Sequence, residues 1–200
     1  MKQARVLTAE ELNAVIAHAV NHSGKWARRN RMLLLLSHAT GMRVGEMAAL
    51  DIADVLDING RILPEILLTP AKTKGPRARR VLIPQRTQNE LGAYIRHQFE
   101  LDSLRGIAYT AGTKPLFYTQ KLHRFTANQL SQTFSRIYSA AGIAGATSHS
   151  GRRTWITALC QRGANVRAIQ LLAGHQNLST TQRYIEVGDH ILRSVAEMAG

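Results

Sequence analysis

The hydrophobic and polar pattern of the first fifty residues predicts three helices. Thr8 followed by Glu11 is a capping-box pattern, and after it apolar residues recur every three or four positions. Gly41 comes after a second apolar run, MLLLL, and suits the left-handed conformation that ends many helices. Arg43 is therefore expected in the turn between two helices. The predicted helices span about Thr8 to Val20, Lys25 to Thr40 and Val44 to Leu50.

Between Val55 and Pro84 the pattern changes to one that is typical of short antiparallel strands. The dipeptide Asn59-Gly60 favours a tight hairpin turn, and the β-rich segments Ile62 to Thr69 and Arg79 to Ile83 flank the basic tip KTKGPRAR. Pro64 lies inside the middle segment, where its missing N–H favours a bulge or a sheet edge. The region predicts three short antiparallel strands.

The rest of the chain is predicted to be helical, in pieces that shorten toward the C-terminus. Thr126 and Gln129 repeat the capping-box pattern, and Gly106 to Thr119 is predicted to be a loop. No repeat or linker divides the chain, so the predicted fold class is α+β, mainly α-helical with a small three-stranded antiparallel sheet. The predicted helices span about Gln85 to Leu101, Thr126 to Ala140, Gly151 to Gln161, Asn165 to Ala173, Ser179 to Glu186 and Ile191 to Met198.

The charge of the chain points to a polyanionic partner. Its 200 residues are 44% hydrophobic, which is enough for an ordinary buried core, and 26 Lys and Arg against 13 Asp and Glu give a formal net charge of +13. DNA, RNA and an anionic membrane surface all remain open on this ground. No apolar run is long enough to span a membrane, and no signal-peptide core follows the first residues, so we expect a cytoplasmic, nucleoid-associated protein.

The chain offers little for a disulfide or a metal site. Cys160 is its one cysteine, which excludes a disulfide within one chain, and its apolar helical position favours a core thiol. The histidines form no metal-binding pair within a helix, and the acidic residues do not cluster. We expect neither a metal nor another cofactor.

The stretch from His149 to Tyr184 contains residues that suit phosphoryl transfer. His149 and Arg152 are three apart at a predicted helix N-terminus, so both can reach one phosphate. His175 follows Gly174, and Tyr184 carries a hydroxyl that can attack phosphorus. Each residue alone has an ordinary alternative: a helix cap for His149, a solvated arginine pair, a partner of a helix C-terminus for His175, or a core tyrosine.

Taken together with Arg43 and the lysine-tipped hairpin, these residues resemble the tyrosine recombinase (phage integrase) family. The segment TGMRVGEMAAL is similar to the first-arginine motif of that family, HSGRR resembles its H-x-x-R motif, and LLAGHQNLSTTQRYIEV resembles its final motif. HSGRR lacks the leucine that commonly precedes the arginine. The resemblance, from about Leu7 to Tyr184, implies the catalytic-domain fold of the family and these site residues: Arg43 and Arg152 as the catalytic arginines, Glu46 as a supporting acid, His149 as general acid or base, His175 as a hydrogen-bond donor to the phosphate and Tyr184 as the nucleophile.

The resemblance also implies a catalytic lysine at the hairpin tip. Counting back from Val81, where the next strand begins, gives Lys74, and the order K-T-K keeps Lys72 as the alternative. The strand continues as VLIP, whereas many relatives reach proline sooner. Basic residues near the tip and beside Arg152 are expected to contact DNA: Lys72, Arg77, Arg79 and Arg153.

The function that the resemblance implies is site-specific recombination of double-stranded DNA. The tyrosine forms a 3′-phosphotyrosyl bond and releases a 5′ hydroxyl, and rejoining to a partner strand reverses the step, which needs neither ATP nor metal. Relatives act as homotetramers on paired sites and pass through a Holliday junction. Integration, excision, inversion and resolution are not distinguished by the sequence. A DNA-binding regulator with a helix-turn-helix, a type IB topoisomerase and an RNA-binding module remain alternatives.

The same resemblance divides the chain into two parts. Residues 1–187 are expected to be the catalytic domain, and 188–200 an amphipathic tail that is either exchanged between protomers or packed on its own domain. Relatives place a DNA-clamping domain before the catalytic segment, where this chain has six residues before Leu7. We therefore expect no N-terminal core-binding domain, either in a naturally short recombinase or in an isolated catalytic domain.

Overall fold

The computed structural model describes residues 3–73, 78–98, 113–184 and 196–197. Within these ranges the chain forms helices α1 to α8 and strands β1 and β2, with short 3-10 helices between some of them. In chain order the bounds are α1 Ala9–His22, α2 Ala27–Thr40, α3 Val44–Ala48, β1 Glu65–Leu68, β2 Arg79–Leu82, α4 Gln85–Gln98, α5 Ala127–Ala140, α6 Ser150–Gln161, α7 Val166–Ala173 and α8 Leu178–Gln182.

Helix α2 forms the centre of the core. Leu33, Leu34 and Leu36 are completely buried, because the MLLLL run presents apolar side chains all around this helix. Helices α1, α4 and α6 pack against it from different sides. The site residues of the flanking helices are therefore held on a rigid support.

The helix ends predicted from capping signals are confirmed. Thr8 accepts from the backbone N–H of Glu11 while the Glu11 carboxylate accepts from that of Thr8, and Thr126 forms the same reciprocal pair with its N3 glutamine. Gly41 has φ +61°, in the left-handed region. This residue ends α2 and directs the chain into the turn that carries Arg43.

The described residues form two paired strands rather than three. Strands β1 and β2 are antiparallel with Ile66 opposite Val81, and the Asn59-Gly60 turn closes an isolated bridge between Leu56 and Ile62. Strand β1 begins only after Pro64, because proline has no N–H to donate to a ladder. The small antiparallel sheet was predicted, but its third strand is replaced by this single bridge.

Helices α6 and α7 form a second, smaller apolar cluster, and α8 ends at Gln182, four residues before its predicted end. Ile156 of α6 packs with Ile169 and Ala173 of α7, and Cys160 and Tyr184 border this cluster. Cys160 is thus a partly buried thiol, and burial raises its pKa. Residues 106–112 of the predicted 106–119 loop and all of the predicted tail helix except residues 196–197 lie outside the described residues. Among the described helices, none has both the length and the apolar character needed to cross a membrane.

Candidate active site

Arg43 and Glu46 form a charged helix cap. Arg43 is the N-cap of α3, and its backbone N–H donates to Glu46 Oε2 at 2.8 Å. Its Nη1 also donates to Glu46 Oε1 at 2.9 Å. The Glu46 side chain is 2% exposed, whereas that of Arg43 is 37% exposed, so the carboxylate anchors a guanidinium that still reaches solvent.

Arg152 is buried in the first turn of α6. Its Nη1 donates to the carbonyl of Gly41 at 2.7 Å, and its Nη2 donates to that of Ala173 at 2.6 Å. Burial, with smaller contributions from the charges of Arg43 and Arg79, lowers its pKa to about 10, so it remains cationic at neutral pH. Backbone carbonyls occupy two of the five N–H groups of this guanidinium, which fixes its plane.

The two arginines converge on adjacent carbonyls at the end of α7. Arg43 Nη2 donates to the carbonyl of Gly174 at 3.1 Å, next to the Ala173 carbonyl that Arg152 binds. Gly174 has φ +63° and ends α7 in the left-handed conformation. The turn that follows carries His175. The contacts of Arg43 and Arg152 with this turn bring together three segments that are distant in sequence.

His175 contacts both α8 and the candidate nucleophile. Its Nδ1 lies 2.8 Å from the Thr181 hydroxyl oxygen, and its ring stacks on that of Tyr184 with centroids 6.1 Å apart and planes 12° apart. Burial, followed by the charges of Arg152, Arg43 and other arginines, lowers the pKa of His175 to about 4. The imidazole is therefore neutral at physiological pH.

Tyr184 lies just beyond α8, where its backbone N–H donates to the carbonyl of Thr181 at 3.0 Å. The guanidinium carbon of Arg153 lies 5.9 Å from the centroid of its ring. Arg152 and Arg153 are consecutive, yet one faces the carbonyls and the other the tyrosine. The segment HSGRR thereby places one arginine against the carbonyls of Gly41 and Ala173 and the next one over the ring of Tyr184.

Comparison with known proteins identifies the family. A model of the phage integrase family matches residues 5–190. The chain belongs to the phage integrase family. It is 31% identical over 179 residues to tyrosine recombinase XerC of Lactobacillus leichmannii, covering 89% of this chain and 57% of XerC. It is 34% identical over 174 residues to tyrosine recombinase XerD of Mycobacterium tuberculosis, covering 86% of this chain and 52% of XerD.

Solved structures agree with the fold. The crystal structure of XerA recombinase superposes with a TM-score of 0.73 at 24% identity, covering 100% of this chain and 66% of that one. The pre-cleavage complex of XerH site-specific recombinase with its difH substrate gives a TM-score of 0.69 at 25% identity, covering 98% of this chain and 54% of XerH. The phage integrase chain described here spans about half the length of the curated relatives it matches.

His149 of this phage integrase is exposed and lies at the N-cap of α6. Its side chain makes no capping hydrogen bond, and only its carbonyl takes part in the helix, accepting from the N–H of Arg153 at 3.0 Å. His149 is therefore the N-cap residue of α6, as its ordinary alternative has it, although its side chain is not used for capping. The imidazole is accessible one turn before Arg152.

Two cations that were expected to contact DNA are bound to carboxylates instead. Lys72 Nζ donates to Asp51 Oδ2 at 2.8 Å and to Asp54, and these contacts favour Lys74 over Lys72 as the lysine that is available to a substrate. Arg79 is buried against Glu46. The DNA contacts expected of these two residues stay predictions. Lys74 and Arg77 lie outside the described residues.

The alternation of β2 could have revealed the position of Arg79. Residues two apart on a strand share a face, so Arg79 faces the same side as Val81, and both are buried. The partner of His175 was missed because Thr181 resembles any other helical threonine. Gln170 was missed as well: it is buried, and its Nε2 donates to the carbonyl of His175 at 3.0 Å.

An open cleft of about 910 Å³ adjoins these groups. The described residues that line it include Arg43, Arg79, Arg80, Arg167 and His175. Glu46 is the one carboxylate among its lining residues. A cleft with this excess of cations favours an anionic ligand such as a DNA backbone. Within the described ranges no group of three or more metal-ligating side chains comes together.

Proposed function

We propose that this phage integrase is a site-specific recombinase that cleaves and rejoins DNA strands through a covalent tyrosine intermediate. The observation that carries the proposal is the convergence of Arg43 and Arg152 on the carbonyls that precede His175, whose ring stacks on Tyr184. Two cations, a neutral imidazole and a phenol side by side fit the reaction of a nucleophile with a phosphodiester.

In the proposed step the Tyr184 oxygen attacks the phosphorus of one backbone phosphodiester. A bond forms between this oxygen and phosphorus, the phenol proton leaves, and the bond from phosphorus to the 5′ oxygen breaks. The products are a 3′-phosphotyrosyl strand and a 5′ hydroxyl. A 5′ hydroxyl of another strand then attacks the same phosphorus and frees the tyrosine, so no cofactor or ATP enters the balance.

The arginines stabilise the charge that develops on the non-bridging oxygens. Arg152 is held by two carbonyls and Arg43 by a carboxylate and a carbonyl, so neither has to reorganise during the reaction. In the tautomer in which the Thr181 hydroxyl donates to Nδ1, neutral His175 carries its proton on Nε2. This N–H then donates a hydrogen bond to a phosphate oxygen.

Two further residues complete the proton transfers. We assign protonation of the departing 5′ oxygen to Lys74 on the hairpin tip, since Lys72 is bound by two aspartates. We assign proton transfer at the nucleophile to His149, which is exposed close to Arg152. Both roles follow from the family motifs.

Double-stranded DNA with paired recombination sites is the proposed substrate, and a homotetramer the proposed assembly. The net charge of +13 supports the DNA partner. Structures similar to this chain include the Tn1549 transposon integrase with circular intermediate DNA and a lambda integrase dimer bound to a COC' core site. In this proposal residues 188–200 link neighbouring protomers, and truncation after Val187 abolishes synaptic complexes while leaving binding to a single site.

The test is capture of the covalent adduct. The protein is incubated with fragmented genomic DNA, the reaction is stopped with detergent, and protein-linked DNA is recovered and sequenced. The recovered site is rebuilt as a nicked suicide duplex, and a denaturing gel reports the adduct. Tyr184→Phe is expected to bind the same duplex and to form no adduct.

Three results would contradict the proposal. Binding without any adduct would identify a DNA-binding regulator. Adducts without site preference, together with relaxation of supercoiled plasmid, would identify a topoisomerase. Adducts that persist in Tyr184→Phe would place the nucleophile elsewhere.

A further inference from the structure

Arg79 is a buried arginine that contacts both halves of the candidate site. Its Nη2 donates to Glu46 Oε2 at 2.8 Å, and its Nη1 donates to the carbonyl of Leu172. Glu46 belongs to α3, which begins after Arg43, and Leu172 belongs to the last turn of α7, just before the turn of His175. One guanidinium from the hairpin therefore ties the two segments together.

The Glu46 carboxylate is shared between two arginines. Oε1 accepts from the side chain of Arg43, and Oε2 accepts from the backbone of Arg43 and from Arg79. A single guanidinium would be neutralised by this buried carboxylate. Two guanidinium groups on one carboxylate leave a net positive charge, so Arg43 keeps its attraction for a phosphate.

The stem of Arg79 also packs on the turn that carries His175. A Cβ atom placed on Gly174 would lie 2.4 Å from Arg79 Cδ, a distance that real Cβ contacts do not reach. The stem therefore covers Gly174, whose carbonyl binds Arg43. The position of Arg79 determines how closely β2 approaches this turn.

Arg79 is poorly placed to bind DNA itself. Although it borders the cleft, its side chain is only 7% exposed, and its Nε is buried without a hydrogen-bond partner among the described residues. The next residue, Arg80, has a side chain that is 68% exposed and pairs with Glu65. Of these two consecutive residues of β2, Arg79 therefore points into the protein and Arg80 points toward solvent.

We propose that Arg79 is a positioning residue for strand cleavage: it holds Glu46 and the Gly174 turn so that Arg43 and His175 face the scissile phosphate. It contacts neither DNA nor the reacting atoms. The inference rests on the proposed cleavage function and adds to it a residue that acts through Glu46.

The test separates the rate of cleavage from the binding of DNA. Arg79→Met is compared with Arg80→Met, which removes the same charge one position along β2. The single-turnover rate of adduct formation is measured on a nicked duplex at saturating protein, and the Kd is measured by fluorescence anisotropy over a range of salt concentrations. Thermal unfolding of each variant checks that it is folded.

Arg79→Met is expected to slow adduct formation by up to about a hundredfold, the loss that follows when a catalytic group shifts by about an ångström. The slope of log K against log salt should stay unchanged, whereas loss of one phosphate contact would reduce it by about 0.9. Arg80→Met removes an exposed cation that lines the cleft, so it should weaken DNA binding and reduce the salt slope, with a smaller loss of the single-turnover rate than Arg79→Met. Arg79→Lys, which keeps the charge and the stem, should restore part of the rate and serves as the test variant if Arg79→Met does not fold.

A double-mutant cycle tests action through Glu46. If Arg79 works by holding this carboxylate, Arg79→Met combined with Glu46→Gln should be little slower than the slower single variant. Additive losses would overturn the inference, as would a smaller salt slope or an unchanged rate in Arg79→Met. If the unchanged protein forms no adduct at all, it is the proposed function that fails.

Discussion

Arg153 lies over the phenol ring of Tyr184, with 5.9 Å between the guanidinium carbon and the ring centroid. The same ring stacks on His175, so a side chain from α6 and one from the turn after α7 restrain it. The sequence led us to expect a DNA contact at Arg153, and the structure directs part of its cationic surface to the candidate nucleophile instead.

Arg153→Met is predicted to slow adduct formation by roughly two- to fivefold, because a contact of this kind contributes about 0.5–1 kcal/mol. Arg153→Lys, which keeps a cation that can lie over the ring, should lose less. Single-turnover cleavage at saturating DNA measures the effect. A large rise in the Kd for DNA with a normal rate of adduct formation would show that Arg153 contacts DNA, as the sequence led us to expect.

The two lysines before the hairpin tip are predicted to behave differently. Lys74→Met should abolish cleavage of ordinary DNA, because the departing 5′ oxygen lacks its proton donor. A substrate with sulfur at the 5′ bridging position should restore cleavage, since a thiolate leaves without a proton. Lys72→Met should still cleave ordinary DNA, with a loss of stability from its contacts to Asp51 and Asp54.

The assignment depends on which variant the sulfur substrate rescues. If the sulfur substrate rescues Lys72→Met, and Lys74→Met is active on ordinary DNA, Lys72 rather than Lys74 protonates the departing 5′ oxygen. Urea unfolding of both variants provides the control for folding.

Gly174→Ala is predicted to destabilise the protein more than Gly163→Ala. Both glycines have positive φ, +63° and +74°, so each alanine carries backbone strain. At Gly174 the new Cβ would also collide with Arg79, whereas nothing lies within 4 Å at Gly163. The difference in the free energy of unfolding should be about 1–3 kcal/mol, the usual cost of overpacking. Equal losses in urea unfolding would show that Arg79 moves away freely.

Acid is predicted to destabilise the protein through His38. Burial lowers the pKa of His38 to about 4, and its Nε2 lies 3.0 Å from the hydroxyl oxygen of Tyr138. Between about pH 6.5 and 4 the unfolded chain binds a proton that the folded chain does not, so stability is complete above this window and falls within it. The full loss is on the order of 3 kcal/mol.

His38→Gln should make this pH dependence shallower, while His97→Gln, at an exposed position of α4, controls for the loss of a histidine. Thermal unfolding between pH 4 and 7 measures both. An unchanged slope in His38→Gln would show that other groups cause acid unfolding. The lowered pKa of His175, about 4, contributes in the same direction.

The local parts of the fold followed from local patterns. The capping boxes at Thr8 and Thr126 and the left-handed Gly41 were predicted correctly, because the groups that decide them are within four residues along the chain. The β-hairpin was predicted less well. Turn residues at positions 59 and 60 indicate a reversal, but whether a third strand pairs depends on neighbours that the pattern does not contain.

The sequence by itself determined the chemical inventory: a basic chain with two arginine motifs, histidines and a tyrosine in the order of the phage integrase family. Tertiary structure decided which cations are held by carboxylates and which stay exposed. Lys72 and Arg79 look like other basic residues near a hairpin tip, yet Asp51, Asp54 and Glu46 lie 18 to 33 residues away and bind them. Burial and ion pairing depend on these long-range contacts, so only the folded chain distinguishes a buried, paired cation from an exposed one.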